Sequence, residues 1–441
     1  MESFEPTPSF LRSSSSVLLF ERRVHARKRH AAISMEGYLI GTCTAFCPLA
    51  EAEERRASRF LSACECPPLR PLVKRYTRPT TAASIAAADV RPLPVLRRVV
   101  SYLLDDVWTW SDVSFHERCA FISDRLRAVR QDMSVQALRC DESLLLLCRM
   151  ARYHAASGAA AQHMASSDAS AAASSQLGDS GAKHAAERCA QVLAQAADIW
   201  MCNDALLRSC APERCTLVEE LVVEAYSASC ALVLASGSEH DPALPKLLRD
   251  IVTRFGGTLR HPLAAATLAC IRAWHARHTH AFLRQLAAVE ELTACAGAAT
   301  VAYLLQPLAV EARARLIASF AAAVAARRTA PALAVARCLL LPPCAATYSV
   351  PSRITATHVD AAAQPAAALH AALWCEAAGM TVRFPEQGAA DACVPPADLR
   401  ARWHAAEGGA SEFEPLVQFK PGAAATPTHA AALAAGRVHA A

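Results

Sequence analysis

Apolar residues recur at helical spacing between residues 121 and 136 and define the clearest element of the chain. The apolar positions are Phe121, Ile122, Leu126, Val129 and Met133. They form one stripe of about four turns, which predicts a buried helix. Because Arg127 and Arg130 fall on the opposite side, this core helix is predicted to carry a cationic outer surface.

Further helices are predicted on both sides of this one. A helix from about 95 to 108 has the core stripe Leu96, Val99, Val100, Leu103 and Leu104. The segment Arg91-Pro-Leu-Pro94 is an extended entry to it, because each proline disfavours the α conformation of the preceding residue. Residues 51–60 fit a helix with acids first and bases last, and 143–150 fit a deeply buried helix.

Helical hairpins are predicted for the middle of the chain, after a segment of different composition. Alanine, serine and glycine dominate residues 155–183, which predicts a flexible linker or surface loop. Helical patterns then run from about 185 to 234. Shorter helices are predicted at 262–278, 281–292, 298–305 and 310–326. Paired helices without a fixed-period repeat suit an α-solenoid.

Near the C-terminus the pattern changes to a helix over 366–377, a stop at Gly379 and a strand over 380–384. This order resembles the end of a winged helix. The predicted organisation is a polar, basic tail (1–35), a cysteine–proline segment (36–89), a helical region with the flexible insert (90–345), a winged-helix-like module (346–420) and an alanine-rich tail (421–441).

Composition strengthens the helical prediction. Of 441 residues, 53% are hydrophobic, with alanine prominent, whereas only 6% are aromatic and 15 are glycine. Alanine is the best helix former, so the predicted class is all-α. The net charge of +5 does not by itself indicate nucleic-acid binding. No segment has the apolar length of a membrane span, so no membrane association is expected.

Cysteines are numerous, at 18, but they are scattered through apolar helical stretches of a long chain in which no signal peptide is apparent. They are predicted to be reduced and buried in a cytosolic or nuclear protein. Cys43, Cys47, Cys64 and Cys66 could offer four thiolates to zinc. A structural turn is favoured, because Cys-x-Cys followed by prolines is poor ligand geometry.

Other candidate chemistry is weak. His275, His278 and His280 fit a polar turn between helices better than a metal site. Phosphate-binding loops, nucleophile elbows and zinc-protease motifs are absent from the sequence, so the chain is predicted not to be an enzyme and to need no cofactor. A metal- or thiol-dependent enzyme is the alternative from a different class.

Basic residues concentrate between 74 and 130. They are Lys74, Arg75, Arg78, Arg97, Arg98, Arg125, Arg127 and Arg130. They could form a patch that faces RNA or an acidic partner. The favoured alternative is pairing with Asp105, Asp106, Asp124 and Asp132, because acids alternate with the bases in this region.

Three motifs, in order and spacing, resemble the Sac/GANP family. The residues that match are Gly41, Thr42, Cys43, Cys47, Pro48, Glu51, Arg91, Pro92, Leu93, Pro94, Phe121, Asp124, Arg125, Arg127, Arg130, Asp132 and Gln136. The segment Trp374-Cys-Glu-Ala-Ala-Gly379-Met-Thr-Val382 resembles a later family pattern. The length is similar to that of the small Sac-domain proteins.

The resemblance implies a PCI-type fold, in which helical repeats precede a winged helix. It also implies a non-catalytic scaffold that binds a second PCI protein and a small acidic partner, with RNA as a further candidate. The implied role is mRNA export at the nuclear pore, in nucleus and cytoplasm; the alternative is a centrosome duplication or spindle factor. Candidate contacts are Arg127, Arg130, Trp374, Val382 and Arg383.

Overall fold

The computed structural model describes the following residues: 39–66, 70–78, 85–167, 172–202, 212–236, 245–249, 259–292, 295–323, 329–331, 381–383 and 416–418. They divide into two compact units. The N-terminal unit contains the described residues up to 157 together with 185–229, and the C-terminal unit contains 158–184 and the described residues from 230 onward.

Helices dominate the described residues, as the predicted all-α class requires. The α-helices are α1 (Leu49–Ala57), α2 (Leu93–Ser101), α3 (Phe115–Val135), α4 (Asp141–Ser167), α5 (Ala172–Cys202), α6 (Pro212–Ser236), α7 (Pro262–His275), α8 (Thr279–Glu291) and α9 (Ala296–Ala323). Short 3-10 turns lie at Ala63–Glu65 and Ala87–Asp89. No helix in these ranges is long and apolar enough to cross a membrane.

Helix α3 confirms the predicted core helix. Ser114 caps its first turn, accepting a hydrogen bond from the backbone N–H of Glu117. All five residues of the apolar stripe are buried. Burial extends to a second set of positions, Arg118, Arg125 and Asp132, which are polar. The helix therefore buries an apolar stripe and also a charged one.

Helix α2 begins after the extended Pro92, as predicted, and continues through a π turn (Tyr102–Asp106) into a 3-10 turn (Val107–Thr109). Its predicted core stripe from Leu96 to Leu104 is fully buried. Helix α1 likewise carries Glu51 in its first turn and Arg55 and Arg56 in its last.

The predicted flexible linker over 155–183 is wrong for the residues that the structure describes. Helix α4 continues to Ser167, and α5 begins at Ala172. The cause is small side chains: alanine favours helix strongly, and small residues let helices approach closely. Gly181 of α5 illustrates this, because a Cβ atom there would lie 3.6 Å from the Cβ of Ala161.

Helices α7, α8 and α9 pack in sequence order, α7 on α8 and α8 on α9. The turn between α7 and α8 exposes His275, His278 and His280, which confirms the predicted polar turn. The two helices predicted at 298–305 and 310–326 are instead one helix, with Pro307 inside it. Buried apolar residues on both sides of the proline, such as Leu305 and Leu308, offset its lost hydrogen bond.

A small antiparallel sheet has the strand order β1 (Thr329–Pro331), β3 (Leu416–Gln418) and β2 (Thr381–Arg383). Val382 pairs with Val417, and Ala330 pairs with the same residue from the other side. Strand β2 confirms the strand predicted over 380–384. The predicted helix at 366–377, Gly379 and both predicted tails lie outside the described residues.

Candidate functional site

The cysteine–proline segment is attached to helix α3 by buried charges, and Asp132 is the centre of one cluster. Its side chain is 1% exposed. Oδ2 accepts a hydrogen bond from Nε of Arg91 at 2.7 Å, and Oδ1 accepts one from Nζ of Lys74 at 2.7 Å. Lys74 also donates to the carbonyl oxygen of Asp89 at 2.6 Å. One buried carboxylate thus satisfies two cations from different parts of the chain.

Gln136, which follows the last residue of α3, adds hydrogen bonds to the same segment. Its Oε1 accepts a hydrogen bond from the backbone N–H of Gly41, and its Nε2 donates to the carbonyl oxygen of Arg91. The backbone N–H of Cys43 donates to the carbonyl oxygen of Val90 at 3.0 Å. A Cβ atom on residue 41 would lie 2.4 Å from that carbonyl oxygen, so only glycine fits there.

Glu65 is the centre of a second cluster. It accepts hydrogen bonds from the guanidinium of Arg55 and from Arg125 of α3, the latter at 3.3 Å. The backbone N–H groups of Ser62 and Val73 also donate to it, each at 3.2 Å. A buried carboxylate with four donors holds α1, the irregular segment around residue 73 and α3 in one arrangement.

The cysteines of this segment lie inside it. Cys43, Cys47 and Cys64 are buried free thiols, whereas Cys66 is exposed. Burial, reinforced by nearby Glu51, raises the pKa of Cys47 to about 12, so this thiol is neutral. The described residues contain no group of three or more histidine, cysteine or acidic residues that could hold a metal ion.

Arg127 and Arg130 do not form the free cationic surface predicted for α3. Both are half-buried. The Arg127 guanidinium lies 3.6 Å from the ring centroid of Tyr76. Arg130 donates to the carbonyl oxygen of Gln191 and to Oε1 of Gln195, both at 2.9 Å, which fixes α3 against α5. Burial, with the charge of Arg188 nearby, lowers the pKa of Arg130 to about 10.

The favoured pairing of bases with acids is confirmed for several residues. Arg125 pairs with Asp124 as well as Glu65. Lys74 and Arg91 pair with Asp132, and Arg149 pairs with Asp105 at 3.0 Å. These charges stabilise the N-terminal unit and leave a smaller basic surface than the sequence suggests.

A groove on the surface of the N-terminal unit has a volume of about 260 Å³. Its lining residues are Arg55, Phe60, Leu61, Ser62, Arg75, Ala120, Phe121, Asp124 and Arg125. Phe60 is 60% exposed and Leu61 is 37% exposed, so the groove presents two large apolar side chains to solvent. The groove is therefore a candidate binding surface that combines exposed apolar side chains with arginines.

Comparison with known proteins identifies the family of this chain. A model of the SAC3/GANP family matches residues 46–343, more than half of the chain. The chain belongs to the SAC3/GANP family. SAC3 family protein 1 of Schizosaccharomyces pombe is 34% identical over 122 residues, which cover 26% of this chain and 12% of that protein. SAC3 family protein B of Arabidopsis thaliana is 32% identical over 123 residues, 26% of this chain and 7% of that protein.

Seen on this SAC3/GANP chain, the residues that carry the family resemblance fall into two groups. Those that join the segment to α3 or to its C-terminal end are Gly41, Arg91, Asp124, Arg125, Asp132 and Gln136. Cys43 and Glu51 instead bind within the N-terminal motifs, to the backbone of Val90 and of Arg75. Val382 and Arg383 lie in β2, in the C-terminal unit, and Trp374 lies outside the described residues. The structure thus brings the N-terminal motifs together.

Sequence reasoning missed Arg55 and Glu65, and treated Lys74 only as part of a basic patch. One signal for Glu65 was present: Ser62-Ala-Cys-Glu65 is a capping box, and the structure forms it. Lys74 carries no such local signal, because its partner Asp132 lies 58 residues away. Arg55 has a local partner in Glu51, but its spacing does not show the pairing with Glu65.

Proposed function

We propose that this SAC3/GANP chain is a non-catalytic helical scaffold that helps to assemble an mRNA export complex at the nuclear pore. The proposal rests on the fact that the family's motif residues form hydrogen bonds with one another inside the N-terminal unit. Asp132, Gln136 and Gly41 bind one another's segments and do not line a reaction site. Such residues provide a rigid body on which other proteins can assemble.

A PCI-type fold is part of the proposal. The successive packing of α7, α8 and α9 supports helical hairpins of the α-solenoid kind. The antiparallel sheet β1–β3–β2 and the prediction of a helix before β2 support a winged helix. In this sheet β1 and β2 are the edge strands, and an edge strand can pair with a strand of another chain.

The proposed partners follow from this arrangement and from the family. They are a second PCI-domain protein, bound through the β2 region with Val382 and Arg383, and a small acidic protein. RNA is a further proposed ligand of the assembled complex. The proposed location is the nucleus, on the pore side of the envelope, with a cytoplasmic fraction. The matches cover 12% or less of the length of the two relatives named above. The roles of those whole proteins are therefore carried over to this chain only as proposals.

Two experiments test the proposal. The first is affinity purification of the tagged full chain followed by mass spectrometry. The second is in situ hybridisation of polyadenylated RNA in cells depleted of this protein. We expect recovery of a second PCI-domain protein and nuclear retention of RNA. Val382→Pro removes a backbone donor from β2 and should abolish that recovery. The matched control, Asp112→Asn at an exposed position of the N-terminal unit, should leave it unchanged. Normal RNA distribution and no PCI partner would refute the proposal.

A further inference from the structure

Phe60 is presented to solvent by a strained helix end. After α1 ends, Arg59 adopts a left-handed conformation, with φ of 53°. The N–H of Phe60 donates to the carbonyl oxygen of Arg55, and that of Arg59 donates to the carbonyl oxygen of Arg56. This is a Schellman motif, which normally has glycine at the left-handed position and packs the next apolar residue on the helix. Here a non-glycine residue accepts the strain, and Phe60 stays exposed.

Two of the arginines that line the groove beside Phe60 are almost completely buried. Arg55 and Arg125 line it, and each has a buried Nε–H without an acceptor among the described residues. Both side chains are about 5% exposed. These two N–H groups are enclosed and their guanidinium groups already bind Glu65, so the charge available to a ligand in the groove comes from a third arginine.

Arg75 supplies a charge at the same place. Its backbone N–H is held by Glu51 at 2.8 Å, and its guanidinium lies 4.5 Å from the ring centroid of Phe60. Among the residues that the structure describes, no carboxylate forms an ion pair with this guanidinium. A carboxylate placed over Arg75 would therefore meet an uncompensated cation next to an apolar surface.

The chemistry of the groove favours a peptide over a nucleic acid. A volume of about 260 Å³ with a floor of Phe60, Leu61 and Phe121 accommodates an apolar side chain. Asp124 lies in the wall, and Glu53 and Glu54 are exposed on α1, so a continuous polyanion would meet repulsion. A peptide can place a single carboxylate on Arg75 and keep its other charges away from these acids.

We propose that the groove formed by Phe60, Leu61 and Arg75 binds a short acidic segment of a protein partner. One apolar side chain of the segment packs against Phe60 and Leu61. A neighbouring aspartate or glutamate accepts hydrogen bonds from the guanidinium of Arg75. This interaction does not depend on the export role or on the winged helix.

The test measures fluorescence anisotropy of the full chain with fluorescein-labelled synthetic peptides. The panel contains one phenylalanine, leucine or tryptophan flanked by aspartates. Two control peptides replace the apolar residue by serine or the aspartates by asparagine. We expect saturable binding of at least one acidic, apolar peptide, and binding at least about tenfold weaker for both controls.

The protein variants are chosen at surface positions. Phe60→Ser and Arg75→Glu should each weaken binding about tenfold or more. Arg98→Glu, at an exposed arginine outside the groove that stacks on Phe46, should leave binding unchanged. Thermal unfolding of each variant confirms that it is folded, since Phe60 is largely exposed.

Three results would overturn the proposal. The first is no saturable binding of any peptide up to millimolar concentration. The second is equal binding of the serine control or of the Phe60→Ser variant, which would reduce the interaction to non-specific charge attraction. The third is displacement of the bound peptide by oligouridylate with tighter affinity, which would make the groove a nucleic-acid site.

Discussion

The backbone N–H of Gly41 donates a 3.0 Å hydrogen bond to the side-chain oxygen of Gln136, across 95 residues of sequence. The other side-chain atom of the same amide, Nε2, binds the carbonyl oxygen of Arg91. One amide therefore joins the first, second and third motifs of this SAC3/GANP chain. The motifs are separate in sequence because they come from different elements of one packed unit.

Replacement of Asp132 tests the larger cluster. Asp132→Asn leaves Arg91 and Lys74 buried without their counter-charge, and we expect the free energy of unfolding to fall by about 3–5 kcal/mol. Urea denaturation followed by circular dichroism measures it. The control is Asp112→Asn. Asp112 forms an ion pair with Arg70, but its side chain is 58% exposed. It should change stability by no more than about 1 kcal/mol.

Replacement of Gly41 tests the close approach to Val90. In Gly41→Ala the new Cβ meets the carbonyl group, so we expect a loss of about 1–3 kcal/mol. Hydrogen exchange at the amides of Thr42 and Cys43 should accelerate, because those amides donate to Ala87 and Val90. Gly181→Ala is the matched control. It meets only an ordinary contact and gains helix propensity, so its stability should stay equal or rise. Equal effects of the two substitutions would contradict this assignment.

His154 should make stability depend on pH. It is fully buried in α4, and burial, with nearby Arg130 and Arg188, lowers its pKa to about 3. Below the ordinary pKa of 6.5 the unfolded chain binds a proton that the folded chain excludes. The stability due to neutral His154 is therefore complete above pH 6.5 and is lost as the pH falls towards 3. The slope approaches about 1.4 kcal/mol per pH unit.

The measurement is urea unfolding between pH 7 and 5. His154→Phe keeps an aromatic ring at the site but cannot titrate. The free energy of unfolding of the wild type, relative to that of the variant, should therefore fall as the pH falls. A constant difference over this range would show that His154 does not contribute to the pH dependence.

The two sides of α3 should respond differently to substitution. Leu126→Asp places an unpaired carboxylate in the core, at a cost of about 3 kcal/mol or more, and we expect insoluble or unfolded protein. Arg127→Ala removes the stacking on Tyr76 and should cost only about 0.5–1 kcal/mol. Thermal unfolding compares them. A soluble, fully folded Leu126→Asp variant would contradict the burial of this position.

The sequence by itself determined helices α1, α2, α3, α7 and α8, the core stripe of α3 and the strand β2. These features depend on local periodicity, propensity and the positions of proline and glycine, which are readable over about four turns or less. The same reasoning failed at 155–183, where alanine and serine suggested a loop. Small residues are ambiguous, because they are equally suited to a linker and to closely packed helices.

Only the tertiary structure decided the partners of the buried charges. Arg152 and Glu224 form a buried pair across 72 residues, and Lys74 reaches Asp132 across 58. Spacing along the chain does not encode such pairing, because it depends on how elements pack. For the same reason the sequence did not reveal what Arg127 and Arg130 contact. The periodicity of one helix cannot show that Tyr76 and α5 cover its other side.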